Sequence, residues 1–282
     1  HYLRERKESF GEMVQVDGSP HYWFEDRGKK CTLLAFIDDA TSQILHLEFA
    51  ESESTKSLMR ATKKYLENFS KPVSLYCDRG GVFKVNIHNQ DEEKITQYKR
   101  ALDEVSIKLV WARSPQAKGR VERLFETLQD RLVKELRLHS INDLNTANEF
   151  LTSGYIEKHN EKFAVEAKNR TNLHQPIIGY DLEQIFCIKE KRNINCDMTI
   201  RYKNDWFLLE KKQPTLIFPG NIIEVREDLR GEITFHIREC KLITKKLEAR
   251  PIKIKEIKEV KETTVWIPPA NHPWRNYQKR DI

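Results

Sequence analysis

Apolar residues recur along this chain with two periods, and the order in which the periods change outlines a fold. Val14-Gln15-Val16-Asp17 reads as a strand end, and Cys31 to Ile37 and Ile44 to Phe49 are rich in strand-forming residues. The polar stretch Asp38-Asp39-Ala40-Thr41-Ser42-Gln43 between the last two reads as a hairpin loop. From Ser54 to Phe69 the spacing of Leu58, Ala61, Tyr65 and Leu66 predicts a helix. A strand over Val73 to Asp78 follows, then a helix with Ile95, Tyr98, Leu102 and Val105 on one stripe, then a short strand from Ile107 to Trp111. A third helix buries Val121, Leu124, Phe125, Leu128, Leu132 and Leu136, and Asn142 to His159 reads as another. Three strands, helix, strand, helix, strand, helix predict a mixed sheet flanked by helices, because crossover helices make the later strands parallel.

Beyond this the pattern changes. Glu166 to Ile178 loses periodicity and gathers Asn169, Asn172, His174 and Pro176, as a linker does. Short runs such as Met198 to Tyr202, Trp206 to Leu209, Ile222 to Val225 and Ile233 to Ile237 predict a small antiparallel β-barrel. The last thirty or so residues hold Pro268-Pro269, Pro273, Trp266 and Trp274 and read as an extended arm. The expected division is a mixed α/β core over 1–165, a linker over 166–191, a barrel over 192–248 and an arm over 249–282.

The 282 residues suffice for one sizeable core and a smaller domain. At 39% hydrophobic and 33% charged the composition is that of a soluble globular protein, with no apolar run that would span a bilayer. A net charge of +6 tilts toward a polyanionic partner, although charge alone describes any slightly basic protein. Cys31, Cys77, Cys187, Cys196 and Cys240 form no C-x-x-C pair and are odd in number, which predicts reduced thiols in a cytoplasmic setting. The chain opens on His1 with no signal-peptide pattern, so it is expected to begin inside a longer protein.

Candidate chemistry rests on three acids. Asp17 and Asp78 each end a predicted strand, where ligands of open α/β sheets gather, and Glu122 stands near the start of the third helix, at the margin of its buried stripe. Three carboxylates brought together repel one another unless cations lie between them. Two divalent ions about 3.5–4 Å apart would serve an in-line phosphodiester displacement, and magnesium prefers such oxygen ligands. Taken singly, each acid has a plainer explanation. Asp17-Gly18 and Asp78 before Gly80-Gly81 suit turns, and a helical Glu is usually a surface residue. Glu126 competes with Glu122; Asp38 and Asp39 compete with Asp17 but are explained by the hairpin loop. His21, His46, His88 and His139 show no ligand spacing.

Together, the motifs resemble a family. Val16-Asp17-Gly18, Phe36-Ile37-Asp38-Asp39-Ala40-Thr41, Cys77-Asp78-Arg79-Gly80-Gly81-Val82-Phe83 and Ser114-Pro115-Gln116-Ala117-Lys118-Gly119-Arg120-Val121-Glu122-Arg123 occur in the order found in the DDE superfamily. That superfamily comprises retroviral-type integrases and bacterial insertion-sequence transposases. Leu128 to Arg137, Tyr155 to Pro176 and His272-Pro273-Trp274-Arg275 look like the bacterial ISNCY group. The resemblance spans Phe10 to Ile178 closely and the remainder loosely. Asp78 and Glu122 lie 44 positions apart, farther than in the retroviral members, and the family's zinc module and N-terminal helix-turn-helix are absent from this chain.

The resemblance implies an RNase H-like catalytic core with Asp17, Asp78 and Glu122 as catalytic acids and ligands of two Mg²⁺ ions, Mn²⁺ serving as substitute. It implies a polynucleotidyl transferase that cleaves transposon ends and transfers the 3′ hydroxyl into target DNA. Partners would be double-stranded DNA and further copies of the chain in a synaptic complex, with no membrane, in the bacterial cytoplasm at the nucleoid. Gln116, Lys118, Arg120 and Arg123 flank the third acid and are expected to meet DNA phosphate, a solvated basic helix start being the plain alternative. The rival functions are a catalytically silent DNA-binding regulator and an RNase H-type nuclease.

Overall fold

The computed structural model describes residues 5–77, 96–112, 119–249 and 266–273. After a two-residue strand, β1 (Ser9–Phe10), three strands run antiparallel: β2 (Val14–His21), β3 (Cys31–Asp38) and β4 (Ile44–Ala50). Helix α1 (Thr55–Phe69) crosses to β5 (Ser74–Cys77), and α2 (Gln97–Glu104) crosses to β6 (Lys108–Trp111). Both crossovers return the chain in the same direction, so β2–β5 and β5–β6 pair in parallel and the sheet has the order β4-β3-β2-β5-β6. The mixed sheet flanked by helices is as the periodicity predicts.

Alternation along the strands divides the interior into two layers. Val14, Val16, Leu34 and Phe36 point toward α1 and α2, meeting Leu58, Tyr65, Tyr98 and Leu102. Leu33, Ala35 and Ile37 point the other way, onto Val121, Leu124, Leu128 and Leu132 of α3 (Gly119–Leu138). Helix α1 starts at a reciprocal cap in which Ser54 and Ser57 each bind the other's backbone N–H.

The expected helix from Asn142 to His159 is two helices, α4 (Leu144–Phe150) and α5 (Ile156–Phe163), joined by a π-helical turn over Leu151–Tyr155 with Gly154 at φ +125°. The edge of β4 accounts for the bend. Asn148 accepts from Phe49 N–H at 2.7 Å and donates to its carbonyl at 3.1 Å. Asn160 does the same for Ile44, at 2.7 and 2.8 Å. Two side-chain amides thus satisfy the backbone of an edge strand and block further pairing there.

The stretch expected as linker carries β7 (Asn169–Asn172), parallel to β1, and α6 (Leu182–Ile185). His174 lies against Phe10 and bonds Tyr65 Oη at 2.8 Å, fastening this strap to the core. The C-terminal strands begin at β8 (Ile188–Asn193), earlier than Arg192, because β8 pairs with β11 (Ile222–Glu227) along its length. With β12 (Ile233–Ile237) and β13 (Cys240–Lys241) they form one sheet, ordered β13-β12-β11-β8. A second sheet holds β9 (Thr199–Tyr202), β10 (Asp205–Leu209) and β14 (Thr244–Leu247). Ile200, Phe207, Val225 and Phe235 fill the space between the two sheets.

Candidate active site

Asp17 lies on β2 directly opposite Ala35 of β3, flanked by the pairs Gln15↔Ile37 and Ser19↔Leu33. Directly opposed residues of an antiparallel pair share a face. Ala35, Ile37 and Leu33 all pack on α3, so Asp17 faces that helix as well. It is half-buried.

Two side-chain bonds fix how α3 crosses this face. Gln129 donates to Ser19 Oγ at 3.1 Å, and Arg120 Nη1 donates to Asp39 Oδ1 at 2.7 Å. Gln15 Nε2 donates to that same Asp39 oxygen at 2.6 Å. The helix from residue 120 to 129 rises about 13 Å, and β2 from residue 15 to 19 advances about 13 Å. Helix and strand therefore run side by side, with Asp17 between the anchors. Glu122 and Gln129 are seven residues apart, about 20° from eclipsed at 100° per residue, so Glu122 shares the stripe of the residue that reaches β2. Its exposed side chain leaves it open to solvent and ligand at the margin of the buried stripe.

Asp78 follows the last residue of β5 and lies outside the described residues, as do Gln116 and Lys118. Up to Cys77, β5 pairs parallel to β2 in the register Val14↔Leu75 and Gln15↔Tyr76. Arg123 is exposed on α3, and Arg120 is engaged with Asp39. Among the described residues no group of three or more His, Cys, Asp or Glu gathers in a metal-holding arrangement. Asp17 and Glu122 nevertheless supply hard carboxylate oxygens suited to magnesium or manganese.

The hairpin aspartates divide two tasks. Asp38 holds the turn, accepting from Gly11 N–H, Thr41 N–H and Thr41 Oγ1 at 2.8–2.9 Å, while burial pushes its carboxyl above the usual range. Asp39, fully buried, instead binds Lys7 N–H, Gln15 and Arg120. Turn propensity explains the first residue but not the second, and a distant guanidinium partner leaves no local sequence signal. A further acid near Asp17 also escapes the sequence. Glu53 packs so close to Gly18 that a Cβ there would stand 2.7 Å from its Oε2.

No family model matches the chain. A protein of Sinorhizobium fredii described as a transposase, y4bF, is 39% identical over 236 residues, covering 83% of this chain and 51% of that protein. The transposase for insertion sequence IS1202 of Streptococcus pneumoniae is 32% identical over 284 residues, covering 98% and 60% respectively. The chain thus spans about half to three-fifths of the length of these relatives. Solved structures with a similar course include the simian T-cell lymphotropic virus intasome bound to a PP2A regulatory subunit, at 12% identity and TM-score 0.47, covering 85% of this chain and 80% of that one. The HTLV-2 integrase catalytic core with magnesium is another, at 17% identity and TM-score 0.42, covering 59% and 98%. The chain is thus similar to transposases, the class of protein that the resemblance of its motifs implies.

Proposed function

We propose that this chain is the catalytic portion of an insertion-sequence transposase that cuts DNA at the element's ends and joins the freed 3′ hydroxyl to target DNA. The supporting observation is the side-by-side course of β2 and α3, which brings Asp17 and the Glu122 stripe to one face of the sheet.

Asp17 and Asp78 would hold two divalent ions, and Glu122 would complete one coordination sphere. Such ions, when bound, activate an oxygen nucleophile and neutralise phosphate charge. The protein's part is placement. Asp17 is held by the central strand of a packed sheet, and Glu122 rides on a helix pinned at two points, so the carboxylates are preorganised before substrate arrives. In the first reaction water attacks the phosphodiester at the element's end and the 3′ oxygen leaves as a hydroxyl. In the second, that hydroxyl attacks a target phosphodiester, forming a new bond while a target 3′ oxygen departs. Gln116, Lys118 and Arg123 would meet the DNA backbone as phosphate contacts that position without reading sequence. The DNA partner, the multimeric synaptic complex and a place at the nucleoid belong to this proposal. Among the described residues no helix is long and apolar enough to cross a membrane.

Strand transfer with the inverted-repeat ends flanking the gene, in Mg²⁺ or Mn²⁺, tests the reading. The expected result is joined product from the natural sequence, none from Asp78→Asn or Asp17→Asn, and retained DNA binding in both variants. Binding without any cutting by the natural sequence would make the chain a silent regulator. Cleavage of RNA–DNA hybrids without joining would make it a nuclease.

A further inference from the structure

We infer that Asp39 is a positioning residue, which holds the first turns of α3, and with them Glu122, against the strand that carries Asp17. The inference rests on the transposase reading for its catalytic meaning, but its geometry stands by itself. One oxygen of Asp39 accepts from Gln15 at 2.6 Å and from Arg120 at 2.7 Å. Gln15 stands two residues before Asp17 on the same face of β2, and Arg120 stands two residues before Glu122 on α3. A single carboxylate oxygen thus links the segments on which two of the three acids are mounted.

Three features make this more than a turn bond. The hairpin is already secured by Asp38, so the bonds of Asp39 run off the hairpin to β2, to α3 and to the N-terminal segment at Lys7 N–H. Asp39 has no exposed surface, and a buried carboxylate strongly favours keeping its guanidinium partner. Arg120 Nη1 ties the second residue of α3 to the same Asp39 oxygen that holds Gln15, so the start of the helix is tethered to β2. That placement matters because Glu122, two residues on, is carried by the same first turn of α3.

The test compares Asp39→Asn, Arg120→Gln, the double variant and Arg120→Lys with the natural sequence, using a duplex bearing the flanking inverted repeat and Mn²⁺. Lys134→Ala, on an exposed pair with Asp130 of the same helix, is the control. Each of the first two variants should lower kcat about ten- to a hundredfold, the range expected of a misplacement near 1 Å, with KM for DNA within about twofold. The double variant should be no worse than either single one, because both break the same link, and Arg120→Lys should restore part of kcat. Independently of activity, backbone amides of residues 123–126 should exchange at least about tenfold faster in both single variants and unchanged in the control. Natural kcat with unchanged exchange in Asp39→Asn would overturn the inference. So would a raised KM with natural kcat and a shallower salt dependence in Arg120→Gln, which would make Arg120 a phosphate contact. Should Asp39→Asn fail to fold, Arg120→Gln and Arg120→Lys decide the matter. Inactivity of the natural sequence on end DNA would count against the transposase reading, leaving the exchange measurement to judge Asp39.

Discussion

Replacing Glu227 by Gln should weaken the attachment of the C-terminal sheets to the core in a pH-dependent way. Glu227 ends β11 with only 7% of its side chain exposed. It accepts from Lys56 of α1 at 2.7 Å, from Lys203 of the β9–β10 turn at 2.7 Å and from Tyr202 Oη at 2.9 Å. Burial alone would raise its carboxyl, but the lysine and tyrosine bonds overcome this and bring its pKa from 4.5 down to about 2. A depression of that size corresponds to at most about 3.4 kcal/mol. Lys56 and Lys203 are 43% and 57% exposed, so solvent screening reduces the expected contribution to about 2 kcal/mol. Because the folded pKa lies below the unfolded one, the contribution is complete above about pH 4.5 and is lost as pH falls toward 2. Urea unfolding of the natural sequence and Glu227→Gln should differ by about 2 kcal/mol at pH 7 and by less than half that at pH 3. Equal stabilities at pH 7, or a difference that does not change with pH, would refute the reasoning.

Gly11→Ala should destabilise the core by about 2 kcal/mol or more, since Gly11 has φ +77° and a Cβ there would meet the His174 ring at 2.3 Å; calorimetry checks this. Burial and the nearby Arg131 lower the His159 pKa from 6.5 to about 4, so the unfolded chain takes up the proton first and stability falls as pH drops from 6.5 toward 4. His159→Gln should flatten that part of the stability profile, and an unchanged slope would contradict the assignment. Millimolar Mg²⁺ or Mn²⁺ should raise the melting temperature, and Asp17→Asn should reduce the rise, because ions that bind only the assembled acids stabilise the folded state by linkage.

How much was legible in the chain differs between its parts. The core follows from local patterns: β3 and β4 from their apolar runs, α1 from Leu58, Tyr65 and Leu66, and α3 from its six-residue stripe. The bend at Gly154 was not legible, because its cause is the edge of β4, about a hundred residues earlier in the chain. The start of β8 at Ile188 is hidden from the sequence for a related reason. Ile188-Lys189-Glu190 has little apolar character of its own and becomes a strand by pairing with β11 more than thirty residues later.

The sequence by itself determined the element order, the mixed character of the sheet and the candidate acids, because hydrophobic periodicity and motif spacing are written along the chain. Only the tertiary structure decided which face of β2 carries Asp17, that α3 lies over it, and that Arg120 is held by Asp39. Those outcomes depend on opposed strand residues and on buried charge partners 81 positions apart, and desolvation can enforce such a pairing only once the layers have closed around it.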